Sequence, residues 1–178
     1  MDRIKWAEKK AYSLLEQNNI DTYPVPVEDI AKKLNITIAK DALEDSVSGL
    51  LYRTSDNVII GVNSFHSETR QRFTIAHELG HFYMQHEGDP IHIDSQVNFR
   101  MTTSTPNKDI REIEANAFAA ALLMPEPLIK KAWNDISGSI DLSHDSEGNS
   151  NEVKKLASIF NVSQQALLVR LSKLGLIY

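Results

Sequence analysis

The chain of 178 residues is 42% hydrophobic and 24% charged, with 19 Lys+Arg against 24 Asp+Glu and no cysteine. That is the balance of one globular domain large enough to bury a core unaided. The missing thiols exclude a cysteine nucleophile, a Cys-based zinc finger and an iron–sulfur centre, and fit a reducing compartment. A net charge of −5 disfavours a phosphate-binding surface, so a basic protein is an easier partner than a nucleic acid. The longest apolar run, Ala117 to Met124, is far short of the roughly 20 residues that span a membrane. The first residues spread their charges and contain no apolar signal core, so the expected location is the cytoplasm.

Residues 3–17 place Ile4, Ala7, Ala11, Leu14 and Leu15 at helical spacing, and Asn18-Asn19 end that helix. Pro24 and Pro26 mark a turn, and Pro26 opens a short second helix with acids early and lysines late. Ile36–Ile38, Gly49–Arg53 and Val58–Val62 read as short strands, the last two joined by the loop Ser55-Asp56-Asn57. Val58–Val62 is expected at an edge of the sheet. A long helix runs from Ser67 to about His86, stopped by Gly88-Asp89-Pro90. Residues 91–108 read as a loop with extended character. Asp109 to Met124 is a helix so apolar after its first turn that it must be buried, and Glu126 to Asn134 adds another. The polar, Gly/Ser-rich stretch 135–151 reads as a mobile surface loop. Glu152–Phe160 and Ser163–Leu174 form a final helical pair turned by Asn161-Val162, with Ser163 as N-cap. The expected fold is α+β, a small antiparallel sheet packed with helices. Its division is a core over 1–134, the loop 135–151, and the helical pair 152–178 packed on the core.

His77-Glu78-Leu79-Gly80-His81 is an H-E-x-x-H sequence inside the long helix. Positions i and i+4 lie about 40° apart in azimuth and about 6 Å apart along the axis, so both imidazoles can reach one cation. Zinc suits such donors, with manganese as the alternative. Glu78 falls on the flank, placed to take a proton from water rather than to ligate. A third donor is expected from the buried helix downstream. Glu112 is preferred over Glu114, which points about 200° away, and Asn116 shares the face of Glu112 and can hold a ligand histidine's second nitrogen. His86 follows His77 by about 900° of rotation, on the opposite side, and reads as a helix-end histidine. His66, His92 and His144 fall in expected loops. His92 or His144 can reach the metal or stabilise an oxyanion, and Tyr83 and Tyr52 are further candidates for oxyanion or substrate contacts.

R-F-T-I-A-H-E-L-G-H-F from Arg72, followed by E-x-E-A-N-x-F-A-A-x-L-L-M-P from Glu112, resembles the ImmA/IrrE family of metallopeptidases. The S-G-L-L-Y-R and I-I-G-V-N stretches and the C-terminal V-K-K-L-A-S-I-F-N-V-S-Q-Q segment agree with it. The resemblance implies a gluzincin-like core with His77, His81 and Glu112 on Zn²⁺ and Glu78 as general base. It implies a narrow endopeptidase whose substrate is a helix-turn-helix repressor of a phage, mobile element or stress operon, with no turnover of general substrates such as casein. Some members carry a repressor-like DNA-binding domain. None is present in these residues, so the substrate is expected to be a separate protein. The alternatives are a non-proteolytic binding regulator or a toxin–antitoxin component. The C-terminal pair has a helix-turn-helix outline, but Ala166, Leu167, Leu168, Val169 and Leu171 leave little beyond Gln164, Gln165 and Arg170 to read bases.

Overall fold

The computed structural model describes residues 2–86, 91–95, 106–137 and 148–177. Among them are seven helices and one four-stranded sheet, an α+β architecture as expected. The chain opens with α1 (Arg3–Gln17), capped by the Asp2 carboxylate on the amides of Ile4 and Lys5. It continues with α2 (Val27–Lys33), β1 (Ile36–Asp41), β2 (Val47–Arg53) and β3 (Val58–Asn63). The long helix α3 (Glu68–Tyr83) leads to β4 (Ile91–Ser95), then α4 (Pro106–Leu123), α5 (Glu126–Ser137), α6 (Gly148–Phe160) and α7 (Gln164–Lys173). The N-cap expected at Ser163 is present, its hydroxyl accepting from the amide of Ala166 at 3.1 Å.

The sheet order is β1-β3-β2-β4, and β1 runs parallel to β3 while the other two pairings are antiparallel. The sheet is therefore mixed rather than wholly antiparallel. The β1–β2 connection steps over one strand position, and β3 returns between its two predecessors alongside β1. This corrects the edge assignment: β3 is interior, and the edges are β1 and β4. Interior placement suits the unbroken apolar run Val58-Ile59-Ile60-Gly61-Val62, which only a strand covered on its flanks tolerates. Asn63, fully buried at the end of β3, holds the crossing together. Its amide donates to the carbonyls of Leu43, Glu44 and Val47, and its oxygen accepts from the amide of Phe65.

One face of the sheet presents Ile36, Leu51, Ile60 and Val62 to the helices. α3 crosses that face against β2 and β3, and α4 packs against both α3 and α1. Two glycines set these distances. A Cβ on Gly49 would stand 2.3 Å from Thr74 Cγ2 on α3, so β2 and α3 touch through bare backbone. A Cβ on Gly80 would meet Phe118 Cδ1 of α4 at 3.1 Å. The buried Arg170 fastens α7 to the rest: its guanidinium donates to Met124 O at 3.1 Å and Tyr12 Oη at 2.9 Å, and pairs with Glu8. A side chain so engaged has no reach toward DNA, which removes Arg170 from the candidate base readers.

Within the expected loop 135–151, α5 continues through Ser137 and α6 begins at Gly148. Residues 138–147, with His144, and the stop Gly88-Asp89-Pro90 lie outside the described residues. Within 91–108, the extended character is a true strand, β4, and the helix starts at Pro106.

Candidate metal centre

α3 brings His77, Glu78 and His81 into the interior, all three buried. α4 lies against this face and aims Glu112 between the two imidazoles. Glu112 Oε2 is 3.3 Å from His77 Nε2, Oε1 is 3.5 Å from His81 Nε2, and the two Nε2 atoms are 3.1 Å apart. β4 adds His92, whose Nε2 lies 3.3 Å from Glu112 Oε1. One donor atom from each of His77, His81, His92 and Glu112 fits within 4.8 Å, a group that could hold a metal ion.

The separations suit that purpose. Donors at zinc's usual 2.0–2.1 Å in a tetrahedron stand about 3.3 Å from one another; the two imidazole Nε2 atoms are 3.1 Å apart, and each has one of the two Glu112 oxygens at 3.3 or 3.5 Å. The chemistry of the set, neutral imidazoles with one carboxylate, also fits a divalent first-row cation. Burial opposes charge on His81 and lowers its pKa to about 3, against the neighbouring Glu112 carboxylate, which raises it. Burial alone would raise Glu112, but the neighbouring imidazoles of His77, His81 and His92 outweigh it and hold the carboxyl well below its ordinary range. The site thus keeps His81 neutral and Glu112 ionised, the protonation states a metal requires.

Around the donors lies a second ring of contacts. Asn116 Oδ1 sits 3.1 Å from His77 Nδ1, one turn along α4 from Glu112, the juxtaposition read from their spacing. On the other side, His86 Nδ1 is 3.0 Å from His81 Nδ1, and His86 Nε2 is 3.1 Å from Glu114 Oε2. Glu114 Oε1 in turn pairs with Arg3 at 3.0 Å. His86 therefore faces His81 rather than lying opposite the site. α3 ends at Tyr83, and Gln85 adopts a left-handed φ of 54°. The amide of Gln85 bonds to Phe82 O and that of His86 to His81 O, a Schellman turn that folds His86 back. The azimuth argument failed because it continued the helix through residue 86.

The remaining candidates are not drawn into the cluster by the contacts they make. Tyr83 donates its hydroxyl to Gln17 on α1. Tyr52 pairs with Ile91 while Leu51 pairs with His92, so the β2–β4 register puts Tyr52 on the sheet face opposite His92. His144 lies outside the described residues. His92 is the donor that sequence reasoning left among loop histidines. A buried partner strand next to a weakly alternating segment was the available signal.

Residues 31–172 match the IrrE N-terminal-like domain of the Peptidase_M78 family. The chain belongs to this family. Over 106 residues it is 26% identical to the uncharacterized immunity region protein 2 of Bacillus phage phi105, covering 60% of this chain and 63% of that protein. Over 76 residues it is 41% identical to the radiation response metalloprotease IrrE of Deinococcus radiodurans, covering 41% of this chain and 21% of that protein. A solved structure of a Mycobacterium tuberculosis transcriptional regulator shares the fold at a TM-score of 0.62 and 17% identity, over 96% of this chain and 46% of the other. The chain thus spans less than two thirds of each of these relatives. The ImmA/IrrE resemblance carried by the two motifs holds, and it joins a peptidase family to a cluster able to hold a metal. Among the described residues, no helix of this IrrE-like domain is long and apolar enough to cross a membrane.

Proposed function

We propose that the chain is a zinc-dependent endopeptidase of the H-E-x-x-H type, acting in the cytoplasm on one separate partner, a helix-turn-helix transcriptional repressor. The observation that carries this reading is the convergence of His77, His81 and Glu112, one donor atom from each within 4.8 Å, beside the buried Glu78. The printed names of the relatives, a metalloprotease and a phage immunity protein, point the same way. His77, His81 and Glu112 hold the cation, and Asn116 accepts from His77 Nδ1–H so that Nε2 is left for it. A divalent cation held there would supply Lewis acidity, to polarise the scissile carbonyl and to make a water molecule more acidic. Glu78 takes a proton from the attacking water and delivers it to the departing amine. β4 has no strand on its outer side among the described residues, and it carries His92 at the cluster. A substrate segment extended along that edge meets the site through backbone hydrogen bonds.

The test pairs the chain with candidate repressors and reads cleavage products by mass spectrometry. Glu78→Gln should keep about one zinc per chain by elemental analysis and abolish cleavage, and casein should stay intact with either protein. Cleavage by Glu78→Gln at the wild-type rate would sink the scheme. Stable binding of a repressor that is never cut would favour the non-proteolytic regulator.

A further inference from the structure

We propose that His86 is a positioning residue of the metal centre: it holds His81 in the Nδ1–H tautomer through a side-chain relay that ends on Glu114 and Arg3. The proposal rests on the metal-site reading for what the freed Nε2 of His81 faces. With His86 neutral, one arrangement of protons satisfies every bond of the relay. The Glu114 carboxylate, paired with the Arg3 guanidinium at 3.0 Å, accepts and does not donate. His86 Nε2, 3.1 Å from Glu114 Oε2, is therefore the donor of that bond. In a neutral imidazole its Nδ1 is then bare, and it accepts from His81 Nδ1 at 3.0 Å. His81 Nε2 is left without a proton, directed at the same donors as His77 Nε2 and Glu112.

The surroundings fix these partners in place. His86 and Glu114 are both buried, so bulk water does not compete for their polar atoms. The Schellman turn holds the His86 backbone against His81, and Arg53 donates to His86 O at 3.1 Å. Asn116 does the matching task for His77 with a single amide oxygen. The two ligand histidines of α3 are thus set from opposite sides, one by α4 directly and one through a second imidazole.

Ring nitrogen spectra of the intact, histidine-labelled chain loaded with zinc test the assignment. The expected result is a proton on His81 Nδ1, a proton on His86 Nε2 and a bare His86 Nδ1. A proton on His86 Nδ1 overturns the proposal. Two variants then test the function of the bond by zinc competition against a chelator. His86→Leu offers no acceptor and should weaken zinc binding by about 10–100-fold. His86→Gln keeps an acceptor oxygen and should stay within a few-fold of wild type. Equal losses in both, or none in His86→Leu, overturn it. If His86→Leu fails to fold, Glu114→Met should leave His86 as a mixture of tautomers, and a single unchanged tautomer overturns the relay. A wild-type chain that binds neither zinc nor manganese sinks the metal-site reading instead, and the ring protons of the metal-free chain still decide the His86 assignment.

Discussion

Glu112 faces three imidazoles, and that crowding sets a pH dependence for the metal-free chain. His81 is held neutral down to about pH 3 in the fold, while in the unfolded chain it takes a proton near the ordinary histidine value of 6.5. Between those values the unfolded state binds the extra proton, so acid favours unfolding. Glu112 stays ionised in the fold while its unfolded counterpart takes a proton near 4.5, so acid below that value acts in the same direction. The melting temperature of metal-free protein should therefore decline steadily from about pH 6.5 downward. A flat profile across that range would contradict the burial of His81. Elemental analysis separates the roles of the donors. Glu112→Ala should lose most of its zinc, whereas His92→Ala should retain it because His77, His81 and Glu112 remain. Loss of metal in His92→Ala would make His92 an obligatory ligand. Most of this site was legible in the sequence, since His77, Glu78, His81, Glu112 and Asn116 sit on helices whose 3.6-residue period converts spacing into geometry. His92 was not, because its place depends on β4 pairing with β2 far away in the chain.

Helix ends divide into those that announce themselves and one that does not. Left-handed residues follow α1, α2, α6 and α7 at Asn19, Asn35, Asn161 and Gly175, residue types that adopt that conformation at little cost. The turns at Asn19 and Asn161 were readable for that reason. α3 uses Gln85, which carries no such mark, and the helix was extended three residues too far. Gln85→Gly should relieve the left-handed strain and raise stability by about 1 kcal/mol, seen as a higher urea midpoint with zinc content unchanged. A lower midpoint would mean that the Gln85 side chain makes a compensating contact. The sheet was harder to read than the helices. Apolar runs mark strands but not their order, so the interior position of β3 and its parallel pairing with β1 come from tertiary packing.

At the scale of the molecule, two arginines join segments far apart in sequence. Arg72 on α3 donates to Val25 O and Asn161 O, linking the segment before α2 to the turn between α6 and α7. Arg170 joins α7 to α1 and to the end of α4. Arg170→Leu strands Glu8, Tyr12 and a buried carbonyl, and should cost about 3 kcal/mol by denaturant unfolding. A loss below about 0.5 kcal/mol, the range of a surface substitution, would show that the contacts are dispensable. Nothing in the sequence of α7 distinguishes this arginine from a surface cation except its place on the apolar face, between Leu167 and Leu171.

The close approach of Gly80 to Phe118 has a consequence for which ions the protein accepts. α3 supplies two of the donors and α4 the third, so the gap between these helices is the bite of the chelate. With no side chain at Gly80, α3 and α4 approach closely enough to bring the donors of the proposed centre together. A methyl there, 3.1 Å from the Phe118 ring, would act as a wedge. Accommodating it would require the Phe118 ring or the helices to shift by a few tenths of an ångström, a change of the order that separates the bond lengths of small and large divalent cations. In the proposed centre, then, a residue that touches no ion would bear on ionic selectivity, and substitutions at position 80 should shift the preference between zinc and larger metals without altering a single ligand.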